Sequence, residues 1–251
     1  MKSLHKVLDI IETISGLDHV GIRELSAKTG FPPPTIHRIL ATLVERGYLK
    51  QDPISKGYAL SFRFLELGTR VQQQFNLTSI ARPHLERLMV ETRESVNLAV
   101  QDGDHVVYLD SAHSNYAMLQ LFTQPGARVP LYATGVGKVF LSLWDEEDVR
   151  EYLKRTDRIR FTPHTLVEPE GLIFELGRIR RQGYAVDDEE MENGVRCVAA
   201  PVWDHNAVNT AAVSISGTTV RMTRDRIDEL GQKVTFCAAA ISNEMGYRPA
   251  N

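Results

Sequence analysis

Apolar residues in the first sixty positions recur with the spacing of helices. Leu4, Val7, Leu8, Ile11 and Ile14 share one face of a helix predicted over Ser3–Ser15, with Ser3 as its N-cap and Gly16 as its stop. A second helix is predicted over Ile22–Thr29, and Gly30 stands where a left-handed residue closes a helix. Pro32, Pro33 and Pro34 prevent its continuation and can open a third helix, because proline is tolerated in a first turn. That third helix runs to Arg46, where Gly47 stops it. Ile36, Ile39, Leu40, Leu43 and Val44 make its apolar face; Arg38 and Thr42 lie opposite, flanked by Thr35 and His37. Tyr48–Gln51 and Tyr58–Leu60 read as short strands about the turn-forming run Asp52–Gly57, a hairpin beside a helix-turn-helix.

Past this head the periodicity changes. Ser61–Gln74 reads as a helical connector with none of the glycine-serine composition of a flexible linker. A helix follows over Leu77–Thr92. Strands are predicted near Ser95–Gln101 and His105–Ser111, with Asp102-Gly103 as the hairpin signal, and near Met118–Phe122. Helices near Gly137–Leu143, Glu146–Lys154 and Glu170–Gln182 precede strands near Tyr184–Asp187, Arg196–Trp203 and Val208–Ser216. A long helix over Arg224–Met245 closes the chain. The pattern is α+β, a sheet domain built on antiparallel strands.

A short helix that turns an arginine and small polar groups outward is what a DNA major groove accepts. Thr35, His37, Arg38 and Thr42 are therefore the candidate DNA-reading residues, with Lys50 and Lys56 of the hairpin reaching phosphates. Charge agrees weakly. Residues 1–60 hold eight Lys/Arg against six acids, while the whole chain has a net charge of −3. The front is mildly basic and the body acidic, which suits a DNA-binding head on a domain that stays off DNA. No run of 18 apolar residues predicts a membrane span, and the amphipathic start predicts no secretion signal. Two cysteines, Cys197 and Cys237, have no metal-type spacing and suit a reducing cytoplasm.

The chain resembles the IclR family of transcriptional regulators over nearly its whole length. The residues that carry the likeness include Val7-Leu8-Asp9-Ile10-Ile11-Glu12, Thr35-Ile36-His37-Arg38-Ile39-Leu40 and Arg46-Gly47-Tyr48-Leu49 in the head. In the body they include Asp102-Gly103, Val107-Tyr108-Leu109-Asp110, Ala133-Thr134-Gly135-Val136-Gly137-Lys138, Gly183-Tyr184-Ala185-Val186-Asp187, Gly194-Val195-Arg196-Cys197 and Ser214-Ile215-Ser216-Gly217. The resemblance implies a winged helix-turn-helix over 1–60, a linker helix over 61–76 and a GAF-like effector-binding domain over 77–251. It implies a cytoplasmic, ligand-responsive DNA-binding regulator, a repressor of a catabolic operon, working as a homodimer or a dimer of dimers. Its partners would be double-stranded operator DNA and a small organic acid, with no enzymatic activity, no cofactor and no metal.

The resemblance carries effector contacts to Gly135, Val136, Asp187, Cys197, Ser214 and Ser216, with Met118 and Leu121 as apolar wall. The chemistry agrees. Amides at Gly135 and Val136, just before a helix, suit a carboxylate. Ser214 and Ser216 stand two apart on a strand and so share a face. Asp187 can accept a bond from a ligand hydroxyl or keep dianions out. One departure concerns Pro33 and Pro34, which replace the basic and hydroxyl residues usual in the family and remove a phosphate contact and a side-chain cap.

Plainer readings stand beside these. A three-helix head with a hairpin also serves as a protein-interaction module, on a body that binds metabolites or acts as an enzyme. Asp187-Asp188-Glu189-Glu190 reads as a solvated strand edge more readily than as a metal site. Cys197 lacks a spaced histidine partner and reads as a small buried hydrophobe or a pocket wall before a nucleophile. Ser214 and Ser216 also have a plainer reading as ordinary strand serines.

Overall fold

A computed structural model describes residues 2–74, 77–113 and 123–248. Two compact units divide the chain, Met1–Phe75 and Asn76–Asn251. The predicted strand near Met118–Phe122, with Met118 and Leu121, lies outside the described residues.

The first unit contains α1 (Lys2–Ser15), α2 (Ile22–Thr29), α3 (Pro33–Glu45), the strands β1 (Leu49–Gln51) and β2 (Tyr58–Leu60), and α4 (Arg63–Gln74). Helix α1 begins at Lys2, so Ser3 lies inside it instead of capping it. Gly30 takes a left-handed φ of 71° and donates its N–H to the Ser26 carbonyl. That closes α2, and the turn then passes to Pro32 at the N-cap of α3, where no side chain caps the helix. The stripe spaced for burial is buried: Ile36 and Leu40 are fully enclosed with Ile10, Ile14 and Leu25. The hairpin is antiparallel with Leu49 opposite Leu60, and Val20 adds a bridge to Tyr58.

The second unit is a six-stranded sheet in the order β5-β4-β3-β8-β7-β6, every neighbouring pair antiparallel. Its strands are β3 (Ser95–Asp102), β4 (His105–Ala112), β5 (Arg128–Pro130), β6 (Ala185–Asp188), β7 (Val195–Trp203) and β8 (Asn209–Thr218). Strand β5 has no counterpart in the sequence reading; three residues are too short for a period to show. Helices α5 (Leu77–Thr92) and α9 (Ile227–Glu244) cover one face. Helices α6 (Gly135–Ser142), α7 (Glu146–Arg155) and α8 (Pro169–Gln182) enclose the core on the other. The last helix starts at Ile227, because Arg224–Arg226 form a short 3-10 turn.

Alternation sorts the strands cleanly. Val96, Leu98, Val198, Ala200, Val213 and Ile215 meet α5 and α9. Ala99, Ala185, Ala199 and Ala212 point the other way, where their small side chains let α6 approach the sheet. Gly137 marks the closest approach: a Cβ there would fall 2.2 Å from the Leu131 carbonyl oxygen.

Candidate functional site

The head presents its polar residues outward. His37, Arg38 and Thr42 are exposed and Thr35 is half-buried. Thr35, Arg38 and Thr42 are spaced i, i+3 and i+7, which stacks them along one side of α3. The Thr42 hydroxyl donates to the Arg38 carbonyl at 3.1 Å, leaving its lone pairs outward. Lys50 extends from β1 with its ammonium 6.0 Å over the Phe62 ring. Lys56 is exposed in the hairpin turn at φ 58°, a left-handed conformation costly for a side chain. Asp52 holds that turn, accepting from the Ile54 and Ser55 amides at 3.0 and 2.6 Å. Those amides, Ser55 foremost, keep the Asp52 carboxyl below its ordinary pKa.

The second unit gathers Gly135, Val136, Asp187, Cys197, Ser214 and Ser216 around one cavity, with Tyr108, Thr123, Val129 and Met191 among its other walls. Strand register explains the convergence. Asp187 pairs with Cys197, and Cys197 with Ser216, so one row of side chains crosses β6, β7 and β8. Ala199, Ser214, Asn97 and Ser111 form the next row, crossing β7, β8, β3 and β4. The N-terminus of helix α6 lies over these rows. A Cβ on Gly135 would meet the Ala199 and Cys197 Cβ atoms at 3.6 and 3.7 Å.

That helix begins at Gly135, two residues before its predicted start, because Thr134 caps it: the Gly137 amide donates to Thr134 Oγ1 at 3.1 Å. The Gly135 and Val136 amides have no acceptor within the helix and stand at its positive end.

The acidic run is not a solvated edge. Strand β6 stops at Asp188, and Glu189 turns the chain through a left-handed φ of 64°. Asp187 and Glu190 therefore both face inward, 3 % and 5 % exposed. Asp187 Oδ1 accepts the Glu190 amide at 2.8 Å. Asp188 stays near the surface and pairs with Arg196 at 2.7 Å. Lys138, fully buried in α6, donates to the Val186 carbonyl at 2.6 Å and to Glu190 Oε1. Burial raises the Asp187 carboxyl to about 7 although the nearby Lys138 charge pulls it down. Burial likewise raises the Glu190 carboxyl. Shielding by its neighbours, with the Asp187 carboxyl beside it, holds the Cys197 thiol well above its ordinary range, so it is no ready nucleophile.

Asn97, Lys138 and Glu190 escaped the sequence reading as site residues. Signals existed: Asn97 interrupts a β-forming run, and Lys138 sits in the otherwise apolar Gly135–Leu141 segment. Among the described residues, no group of His, Cys, Asp and Glu has the makings of a metal site, and no helix is long and apolar enough to cross a membrane.

Comparison with known proteins covers both units. Residues 3–53 match the IclR helix-turn-helix domain, and residues 69–243 match the family described as bacterial transcriptional regulator IclR C-terminal. The chain is 36% identical over 247 residues to the HTH-type transcriptional regulator KdgR of Dickeya chrysanthemi, covering 98% of this chain and 81% of that protein. It is 34% identical over 249 residues to the transcriptional repressor IclR of Escherichia coli, covering 98% and 90%. Its fold is similar to the crystal structure of Thermotoga maritima IclR, with a TM-score of 0.82, 33% identity and coverage of 98% of this chain and all of that one.

Proposed function

The chain belongs to the IclR family of DNA-binding transcriptional regulators, and from that premise we propose that it is a repressor of a catabolic operon released by a small carboxylate. The convergence of Gly135, Val136, Asp187, Cys197, Ser214 and Ser216 on one cavity carries this reading. Helix-terminal amides and two serine hydroxyls supply donors, and a macrodipole end favours a negative charge there by about 0.3–1 kcal/mol. Each charge-assisted hydrogen bond adds roughly 1.5–3 kcal/mol. A few such contacts support micromolar affinity, which suits sensing of a metabolic intermediate. Asp187, raised to about 7, holds a proton over part of the neutral range and can then donate to the ligand or to its hydroxyl.

In the head, Thr35, His37, Arg38 and Thr42 read the major groove while Lys50 and Lys56 meet phosphates. Two heads on a two-fold site follow from the same logic: half-sites one helical turn apart demand a symmetric protein. Exposed Leu4 and Leu8 on α1, and Leu65 and Leu67 on α4, supply apolar surface for pairing. Ligand binding shifts the equilibrium between DNA-competent and DNA-released forms by its differential affinity for the two.

The test is a gel shift against the protein's own upstream region, with and without millimolar carboxylates. Retardation that one carboxylate reverses, and that the Ser214→Ala/Ser216→Ala double variant no longer reverses, is the expected result. Release that survives the double substitution would place the carboxylate elsewhere.

A further inference from the structure

Strand β6 covers β7 only as far as Ala199, which pairs with Ala185, so Pro201 and Trp203 stand past its end on an open edge. That edge is closed to a further strand, because Pro201 has no amide and the Trp203 amide donates to Ser242 Oγ of α9 at 2.9 Å. A cleft of about 590 Å³ opens beside it, within the size range of small-molecule sites. Val139, Leu143, Ile179 and Ala239 line it together with Trp203 and Tyr247, whose ring centroids stand 6.0 Å apart in a stacked pair. The cleft shares helix α6 with the interior cavity but none of the described residues that line that cavity.

Among the described lining residues, Arg180 alone is charged. Its Nε donates to the Ser142 carbonyl and its Nη2 to the Trp144 carbonyl at 2.7 Å, which leaves Nη1 uncommitted among the described residues. At the rim, Asn243 Oδ1 accepts from Arg248 Nη1 at 2.6 Å. Every described hydrogen bond of these two arginines goes to an uncharged oxygen. A guanidinium with spare donors and no counter-charge, set against apolar walls, is matched by an anion. Thr235 Oγ1, on the α9 side of the cleft, is enclosed and meets no hydrogen-bond partner among the described residues. A polar atom of a ligand would relieve that cost.

We propose that this cleft is a second ligand site, for an amphipathic monocarboxylate whose charge meets Arg180 Nη1 and whose apolar body lies against Val139, Ile179 and Trp203. One charged wall residue sets the number of charges at one, because a second would enter apolar surroundings without a partner. The walls set the character of the body: a ring or chain must cover them to displace water, which a small polar acid does not do. The missing donors on the open edge of β7 disfavour an added peptide strand as the occupant.

The test uses the full chain with 4-phenylbutanoate and its neutral counterpart 4-phenylbutanamide, titrated by calorimetry. Wild type is expected to bind the acid about tenfold more tightly than the amide, the worth of one charge-assisted hydrogen bond. Equal binding of the two, or no binding of the acid, overturns the proposal, and neither measurement needs a variant to fold. In Arg180→Gln, which keeps a donor for the Ser142 carbonyl, acid and amide are expected to bind alike; a preference that persists there overturns the assignment of the charge to Arg180. Ala239→Phe puts a ring into the cleft from an exposed position on α9 and is expected to abolish binding of both probes. Acid binding that survives this block places the probe elsewhere, the interior cavity included, and overturns the proposal. Sedimentation of wild type and Ala239→Phe covers the remaining occupant. A lower oligomeric state in the variant, with no acid bound by wild type, would make the cleft a contact between copies of the chain and overturns the ligand site.

Discussion

The two units treat their polar residues in opposite ways. In the head, the buried set is apolar and the candidate DNA-reading groups Arg38, His37, Thr42, Lys50 and Lys56 stand in water. In the sheet domain, Asn97, Lys138, Asp187, Glu190, Ser214 and Ser216 are buried with their partners. A long charged polymer is met at an exposed surface, where salt screens each contact and no single one is costly. A small ligand is met inside, where the low dielectric strengthens every hydrogen bond and penalises every unpaired one. Substitutions should therefore separate: in the head they move binding and spare stability, whereas in the sheet domain they move both.

The largest effect is expected at Lys138. Replacing it with Met leaves Glu190 buried without its partner, a loss of about 3–5 kcal/mol by chemical denaturation. The Lys138→Met/Glu190→Leu double variant should recover most of it. Recovery smaller than about 1 kcal/mol would mean Lys138 acts through its bond to the Val186 carbonyl instead.

Asp187 comes next, and its sign is unusual for a carboxylate. Its folded pKa of about 7 lies above the ordinary 3.8, so the folded state binds the proton more tightly than the unfolded state. Its contribution is therefore full at pH below about 4 and is lost as pH rises to about 7, on the order of 4 kcal/mol in all. Asp187→Asn should flatten the stability profile over that window. A profile as steep as that of wild type would move the titration to Glu190.

Arg38→Ala sharpens the contrast from the other side. Operator affinity should fall by roughly 1–3 kcal/mol at fixed salt, with the melting temperature and effector affinity unchanged. Equal binding by the two proteins in a salt-matched gel shift would remove Arg38 from the reading face.

Lys56→Gly carries the smallest effect and splits the two properties within one residue. Relief of the left-handed φ should stabilise the head by about 0.5–1 kcal/mol. Loss of the charge should lower the slope of log affinity against log salt by about 1. A slope that stays the same would show that the hairpin lysine does not reach phosphate.

Much of the head was readable from the chain. Ile36, Ile39, Leu40 and Leu43 announce a buried stripe by spacing, Gly30 announces a left-handed stop, and Asp52–Gly57 announces a turn. These are local signals, read within a few residues of one another. In the sheet domain the same local signals placed most strands and put Ser214 and Ser216 on one face. They misjudged Asp187–Glu190, because alternation assumes a continuing strand and the left-handed Glu189 ends it.

The sequence by itself determined the helices of the head, the α+β alternation of the body and the outward placement of Arg38, since each depends on neighbours along the chain. Tertiary structure alone decided that Asp187 lies across from Cys197 and Cys197 across from Ser216, that Asn97 reaches two serines more than a hundred residues away, and that Lys138 is paired in the interior. Periodicity tells a residue which face it occupies. Register and packing tell it which partner it meets there, and a buried polar group becomes tolerable through that partner.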